Sequence, residues 1–166
     1  MQPTDNVFRI LAANLRTIVE QIEPTLRNLT EEQAAKPVAP GNWSPKQCVG
    51  HLIDSACNNH ARFVRAQLEG GFRGSSYDGD GWVRAGNSQA APWPLLIDLW
   101  SSYNLYIAHI LCHIHADAAE LPCTIGDAPA ISLSHLAEDY FLHLIHHLVG
   151  IGVVEEGSYP PYNPRF

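Results

Sequence analysis

Apolar residues recur at helical spacing along most of the chain. Val7, Ile10, Leu11, Leu15, Ile18, Val19, Ile22 and Leu26 form one stripe, which predicts a first helix from about Asp5 to Leu29, bent at Pro24. Thr30, with Gln33 three residues on, has the form of a capping box for a short helical turn that Pro37, Pro40 and Gly41 end. The clearest start signal is Trp43-Ser44-Pro45-Lys46-Gln47: a capping Ser, Pro at the first helical position and Gln at the third. It predicts a second helix from Pro45 to about Leu68. Residues 69–92 are rich in Gly, Ser and Asp and lack a period, so they read as a long loop, of a length usually reserved for function, that covers a site. A third helix opens at Pro94 and reaches about Ala119. Leu121 to Ile131 is extended in character around Gly126-Asp127, which predicts a small hairpin, and Ser132 or Ser134 then caps a fourth helix running to about Val153. Four amphipathic helices and little strand make an all-α, antiparallel four-helix bundle over residues 1–154, followed by an irregular tail over 155–166.

Composition narrows the function classes. The chain has 166 residues, 46% hydrophobic and 16% charged, enough for one sizeable core and unlike a disordered chain. A formal charge of −7, with ten Lys and Arg and no basic run, excludes the field that nucleic acid or an anionic membrane needs. No stretch has the length of a membrane span, and Met1 to Asn6 has no basic lead into an apolar run, so the expected location is the cytoplasm. Cys48, Cys57, Cys112 and Cys123 lie far apart and read as reduced, mostly buried thiols.

Nine histidines raise the question of a metal. In the last helix Leu133, Leu136, Tyr140, Phe141, Leu144, Leu148 and Ile151 share one arc, which faces the core. His143 and His147, four apart, lie within about 40° of each other at its edge, so two imidazoles can reach one ion from one face. His146 points away from that arc. In the second helix His51, Ser55, Asn58 and Arg62 form a polar stripe opposite Val49, Leu52, Ile53, Ala56, Phe63 and Val64. Read alone, such a stripe is a solvated face, although the Lys and Glu that usually occupy one are absent. His109 and His113 form a rival pair on the third helix, beside Cys112. Spacing does not choose between the pairs, although a His near a helix C-terminus is favoured by the dipole without any ligand.

The run Trp43-Ser44-Pro45-Lys46-Gln47-Cys48-Val49-Gly50-His51-Leu52-Ile53-Asp54-Ser55 resembles the helix-start signature of the DinB/YfiT superfamily. His143-Leu144-Ile145-His146-His147-Leu148-Val149-Gly150-Ile151 resembles its closing His-x3-His. The resemblance implies a four-helix bundle with a three-His site for a divalent ion, the first ligand matching His51 and the pair matching His143 and His147. Imidazole suits zinc, nickel and iron alike. Three neutral ligands leave a coordination position open, as in catalytic zinc sites, so an enzyme acting on a small molecule is expected. Asp54, one turn from His51, is the candidate carboxylate for orienting an imidazole, and Asn58 and Arg62 are the candidate substrate contacts.

The family implies two reactions. The leading expectation is transfer or isomerisation with a low-molecular-weight thiol as cosubstrate; the alternative is metal-assisted hydrolysis. A non-catalytic bundle that binds a ligand or partner is the competing class. Gly70-Gly71 and Gly79 to Gly81 lack the strand and helix context of a phosphate loop and read as turns. Leu142, Ile145 and Val149 make the last helix apolar on its far side too, which calls for cover from the bundle or from a homodimer.

Overall fold

The computed structural model describes residues 6–163. The first helix, α1 (Val7–Arg27), carries Pro24 within it and is capped by Asn6, whose side chain accepts from the Phe8 amide; the expected start at Asp5 lies outside the described residues. A short α2 (Glu31–Ala34) has the Thr30/Gln33 capping box. The long α3 (Pro45–Glu69) has the Ser44/Gln47 box with Pro45 at its first turn, so two otherwise orphaned amides are satisfied at each of these starts.

After α3 come β1 (Phe72–Gly74) and α4 (Gly79–Gly86), then a single 3-10 turn over Ser88–Ala90. Residues 69–92 are therefore not the structureless loop that the sequence suggests. Gly79, Gly81 and Gly86 hide α4 from propensity. Asp78 caps it through the Gly81 amide, Val83 is its buried anchor, and it packs on α3.

The third long helix, α5 (Trp93–His113), stops six residues before the expected Ala119. Ile114 turns extended, and His115 accepts from the Asp117 amide to start a separate 3-10 turn over Ala116–Ala118. Local side-chain bonding of this kind competes with helix continuation. The expected hairpin is present as β2 (Pro122–Ile125) and β3 (Ile131–Ser132), but β1 joins it in parallel, pairing Phe72 with Cys123 and Gly74 with Ile125, so the sheet has three strands. Ser132 caps the last helix, α6 (Leu133–Gly150).

Packing in the bundle does not simply follow chain order. α1 packs on α5 and α6, and α3 packs on the same two helices from the other side. The core between them includes Phe8, Leu15, Leu26, Val49, Leu52, Phe63, Trp100, Ile107, Leu136, Leu144 and Leu148, all 1% exposed or less. Each such side chain contributes about 1.5–3 kcal/mol of burial. No helix among the described residues is long and apolar enough to cross a membrane. The four cysteines are free, but only Cys48 and Cys123 are buried; Cys57 and Cys112 are exposed, contrary to the expectation of mostly buried thiols.

Candidate metal centre

The polar stripe of α3 is not solvated. His51, Ser55 and Arg62 are 6%, 3% and 5% exposed, because α6 and the segment after β1 close over the face that α3 turns away from its apolar side. The cap at Ser44 fixes where α3 begins, and so sets His51 on the second turn, facing α6. There His143 and His147, one turn apart on α6, complete the cluster. His51 Nε2 lies 3.0 Å from His143 Nε2, which lies 3.1 Å from His147 Nε2. Trp43, just before the cap, packs against two of the rings, with centroids 4.9 Å from His51 and 5.7 Å from His147, nearly parallel to the latter.

Burial pushes the pKa of His51 down to about 4. Burial, then the neighbouring histidines, pushes His143 down to about 3 and His147 to about 2. All three are therefore neutral near pH 7 and offer lone pairs. Converging nitrogen lone pairs repel unless a ring N–H or a cation lies between them, and with every ring neutral all three Nε2 lone pairs can face the centre together only around a cation. Tetrahedral zinc at about 2.05 Å from each nitrogen sets its ligands roughly 3.3 Å apart, close to the spacings found. The donor set fits a divalent ion.

The expected partner of His51 is not in place. Its Nδ1 is buried without a hydrogen bond among the described residues, so Asp54 does not orient it. It faces Gly79 at the start of α4, where a Cβ would stand 3.1 Å from the His51 Cε1. Asp80 acts on the ring electrostatically from the same turn. His143 is better held: its Nδ1 lies 3.4 Å from Ser55 Oγ. From Ser55 a chain of contacts runs along α3 away from the cluster. Asn59 Nδ2 donates to the Ser55 carbonyl at 3.0 Å, and Arg62 Nη1 donates to Asn59 Oδ1 at 3.4 Å.

These residues form one wall of a cavity of about 280 Å³ that His51 and His143 also face. Its other walls are Ser76, Tyr77 and Gly79 from the segment before and within α4, Asp139 and Tyr140 from α6, Ile125 of β2, and Tyr162 of the tail. Asn59 is there in place of the expected Asn58, which is half-buried and spends its amide on the Asp54 carbonyl. The sequence reading also missed Tyr77, Asp139 and Tyr162. Asp139 could have been found, since it precedes His143 by four and His147 by eight on one helical face; nothing local points to the tyrosines. A second cavity, about 390 Å³, reaches His147 from behind, past Trp43, Cys48 and His146.

The other candidates are not members of the cluster. His109 and His113 are exposed on α5, with His113 Nδ1 2.7 Å from the His109 carbonyl oxygen. His146 is exposed and stands beside Tyr162. Cys48 is buried, donates to the His147 carbonyl oxygen and has its thiol pushed up to about 12 by burial, so it is neither ligand nor nucleophile.

Fold and cluster together define a four-helix bundle with a three-histidine set able to hold a metal ion. The sequence model of the DinB superfamily matches residues 14–149, and the chain belongs to that superfamily. It is 29% identical over 138 residues to a Bacillus pumilus (strain SAFR-032) protein named "Putative metal-dependent hydrolase", across 82% of this chain and 78% of that one. A protein of the same name from Geobacillus thermodenitrificans (strain NG80-2) is 24% identical over 140 residues, across 84% and 79%. Among solved structures, YfiT from Bacillus subtilis, described as a probable metal-dependent hydrolase with an unusual four-helix bundle topology, superposes with a TM-score of 0.79 at 20% identity, covering 91% of this chain and 89% of its own. That likeness speaks for the fold.

Proposed function

We propose that the protein is a metal-dependent hydrolase of a small molecule, with His51, His143 and His147 holding a divalent ion. The observation that carries this reading is the convergence of the three neutral Nε2 atoms, two of whose rings, His51 and His143, line one cavity. The names of the relatives support the same class. An ion held by three neutral imidazoles keeps its full charge and an open position, and supplies Lewis acidity toward a water or a carbonyl oxygen. The chain's own residues do the rest. Ser55 restrains the His143 ring. The Asp139 carboxylate, 8% exposed in the cavity wall, is the acceptor for a proton released there. Burial raises the pKa of the Tyr77 phenol, so it stays protonated and donates to a developing oxyanion.

A second reading, transfer or isomerisation with an external low-molecular-weight thiol, rests on the ligand set. It is uncharged, so the ion would stabilise a thiolate, and Cys48, the thiol hydrogen-bonded to the His147 carbonyl, is inert. Metal analysis of protein purified without added metal tests both readings, and should give one zinc, nickel or iron per chain. A cobalt-substituted sample then separates them. Thiol-independent turnover of esters or amides supports hydrolysis, whereas a sulfur-to-metal charge-transfer band on adding cellular thiols, with turnover only in their presence, supports transfer. Protein that holds no metal under either condition refutes both.

A further inference from the structure

Arg62 is the cation of the cavity, and its environment does not account for it. Its side chain is 5% exposed, and burial pulls its pKa below the usual guanidinium value, an effect only partly offset by Tyr77, Asp139 and Cys123. A guanidinium offers five donors in a rigid fork. Here one of them makes a 3.4 Å bond to Asn59, and no ion pair among the described residues engages it. Taking such a charge out of water is unfavourable unless a partner of opposite charge meets it. Asp139 shares the cavity and acts on Arg62 from a distance, so the fork remains available.

We infer that Arg62 is the anchor for a carboxylate on the substrate, with the reacting group at the other end of the same molecule lying at the histidine cluster. This assignment deepens the hydrolase reading and rests on it for what happens at the cluster, but the anion subsite itself stands on Arg62 and the cavity alone. Arg62 is eleven residues beyond His51, about 16 Å along the helix axis. Its side chain leans back toward the helix N-terminus and so shortens that gap, and both residues line one cavity. A planar carboxylate matches the guanidinium bidentately. A dianionic phosphate would set a second negative charge near Asp139, so the geometry favours a monoanion. Asn59 holds the guanidinium from α3 and is itself tied to Ser55, which touches His143. The anchor and the ligand cluster are thus linked along one helix face.

The test compares hexanoate with hexanamide by calorimetry, on metal-free and on zinc-loaded protein. The acid is expected to bind about tenfold or more tightly than the amide in both forms. Arg62→Met removes the preference and Arg62→Lys leaves a reduced one, with far-UV circular dichroism checking the fold of each. The comparison on unaltered protein is decisive even if a variant does not fold. Equal binding of acid and amide, or tighter binding of inorganic phosphate than of hexanoate, overturns the inference. Retained preference for the acid in protein that takes up no zinc overturns the metal reading and leaves the anion subsite standing.

Discussion

At the scale of single residues, position rather than number singles out the histidines that matter. His143→Ala or His147→Ala is expected to abolish stoichiometric metal, whereas His146→Ala and His113→Ala, both altering exposed side chains, leave it bound; elemental analysis of the four proteins decides. Retention in His147→Ala, or loss in His113→Ala, would move the site to another helix. The same burial makes a pH prediction. The three rings have folded pKa values below the ordinary 6.5, at about 4, 3 and 2. Below pH 6.5 the unfolded chain therefore binds protons that the folded chain does not. Stability is full above that pH and falls as pH drops toward the folded values, by about 1.4 kcal/mol per pH unit for each ring that stays neutral. The urea midpoint of metal-free protein should drop steeply between pH 6.5 and 5, and His143→Gln should flatten the slope. A midpoint constant across that range would show that the rings are not buried as described.

At the scale of elements, α3 organises the site, because its capped start, its apolar face and its polar face are all committed. Gly50, beside His51, lies against the 3-10 turn, where an added Cβ would meet Ser88 Cβ at 2.4 Å. Gly50→Ala is expected to cost about 1–3 kcal/mol through overpacking, seen as a lowered thermal midpoint. Gly79→Ala acts differently. Its Cβ would press on the His51 ring at 3.1 Å, so it should weaken metal affinity while leaving the thermal midpoint of the metal-free protein nearly unchanged. Equal metal affinity in the variant would show that α4 does not hold that ring in place. The element-level surprise is α4 itself, which tertiary packing and the Asp78 cap form out of a glycine-rich segment.

At the scale of the whole molecule, the tail is part of the site and of the core's cover. Tyr159 packs edge-on against Phe141 with ring centroids 5.8 Å apart, Tyr162 lies 5.4 Å from both His143 and His146, and burial pushes the Tyr162 phenol up to about 12. The tail thus flanks the far side of α6, where the sequence calls for cover from the bundle or a second copy. Deleting residues 155–166 is expected to widen access to the cavity and, at high micromolar concentration, to shift the light-scattering mass toward dimer relative to the intact chain. An unchanged mass would mean that α6 needs no such cover. By itself the sequence determined the features that short-range rules govern. Helix starts were legible because Ser44, Gln47, Thr30 and Gln33 satisfy backbone amides three residues away, and the α6 core arc and the His143/His147 pair because helical periodicity is local. Only the tertiary structure decided the features that depend on distant segments meeting. The stripe of His51, Ser55 and Arg62 has the same pattern whether it faces water or α6, and its burial came from packing across some 90 residues of chain. Asn59 rather than Asn58, the orphaned Nδ1 of His51, the third strand and the approach of Tyr77 and Tyr162 are likewise set by contacts between remote elements, which a one-dimensional pattern does not encode in any local spacing.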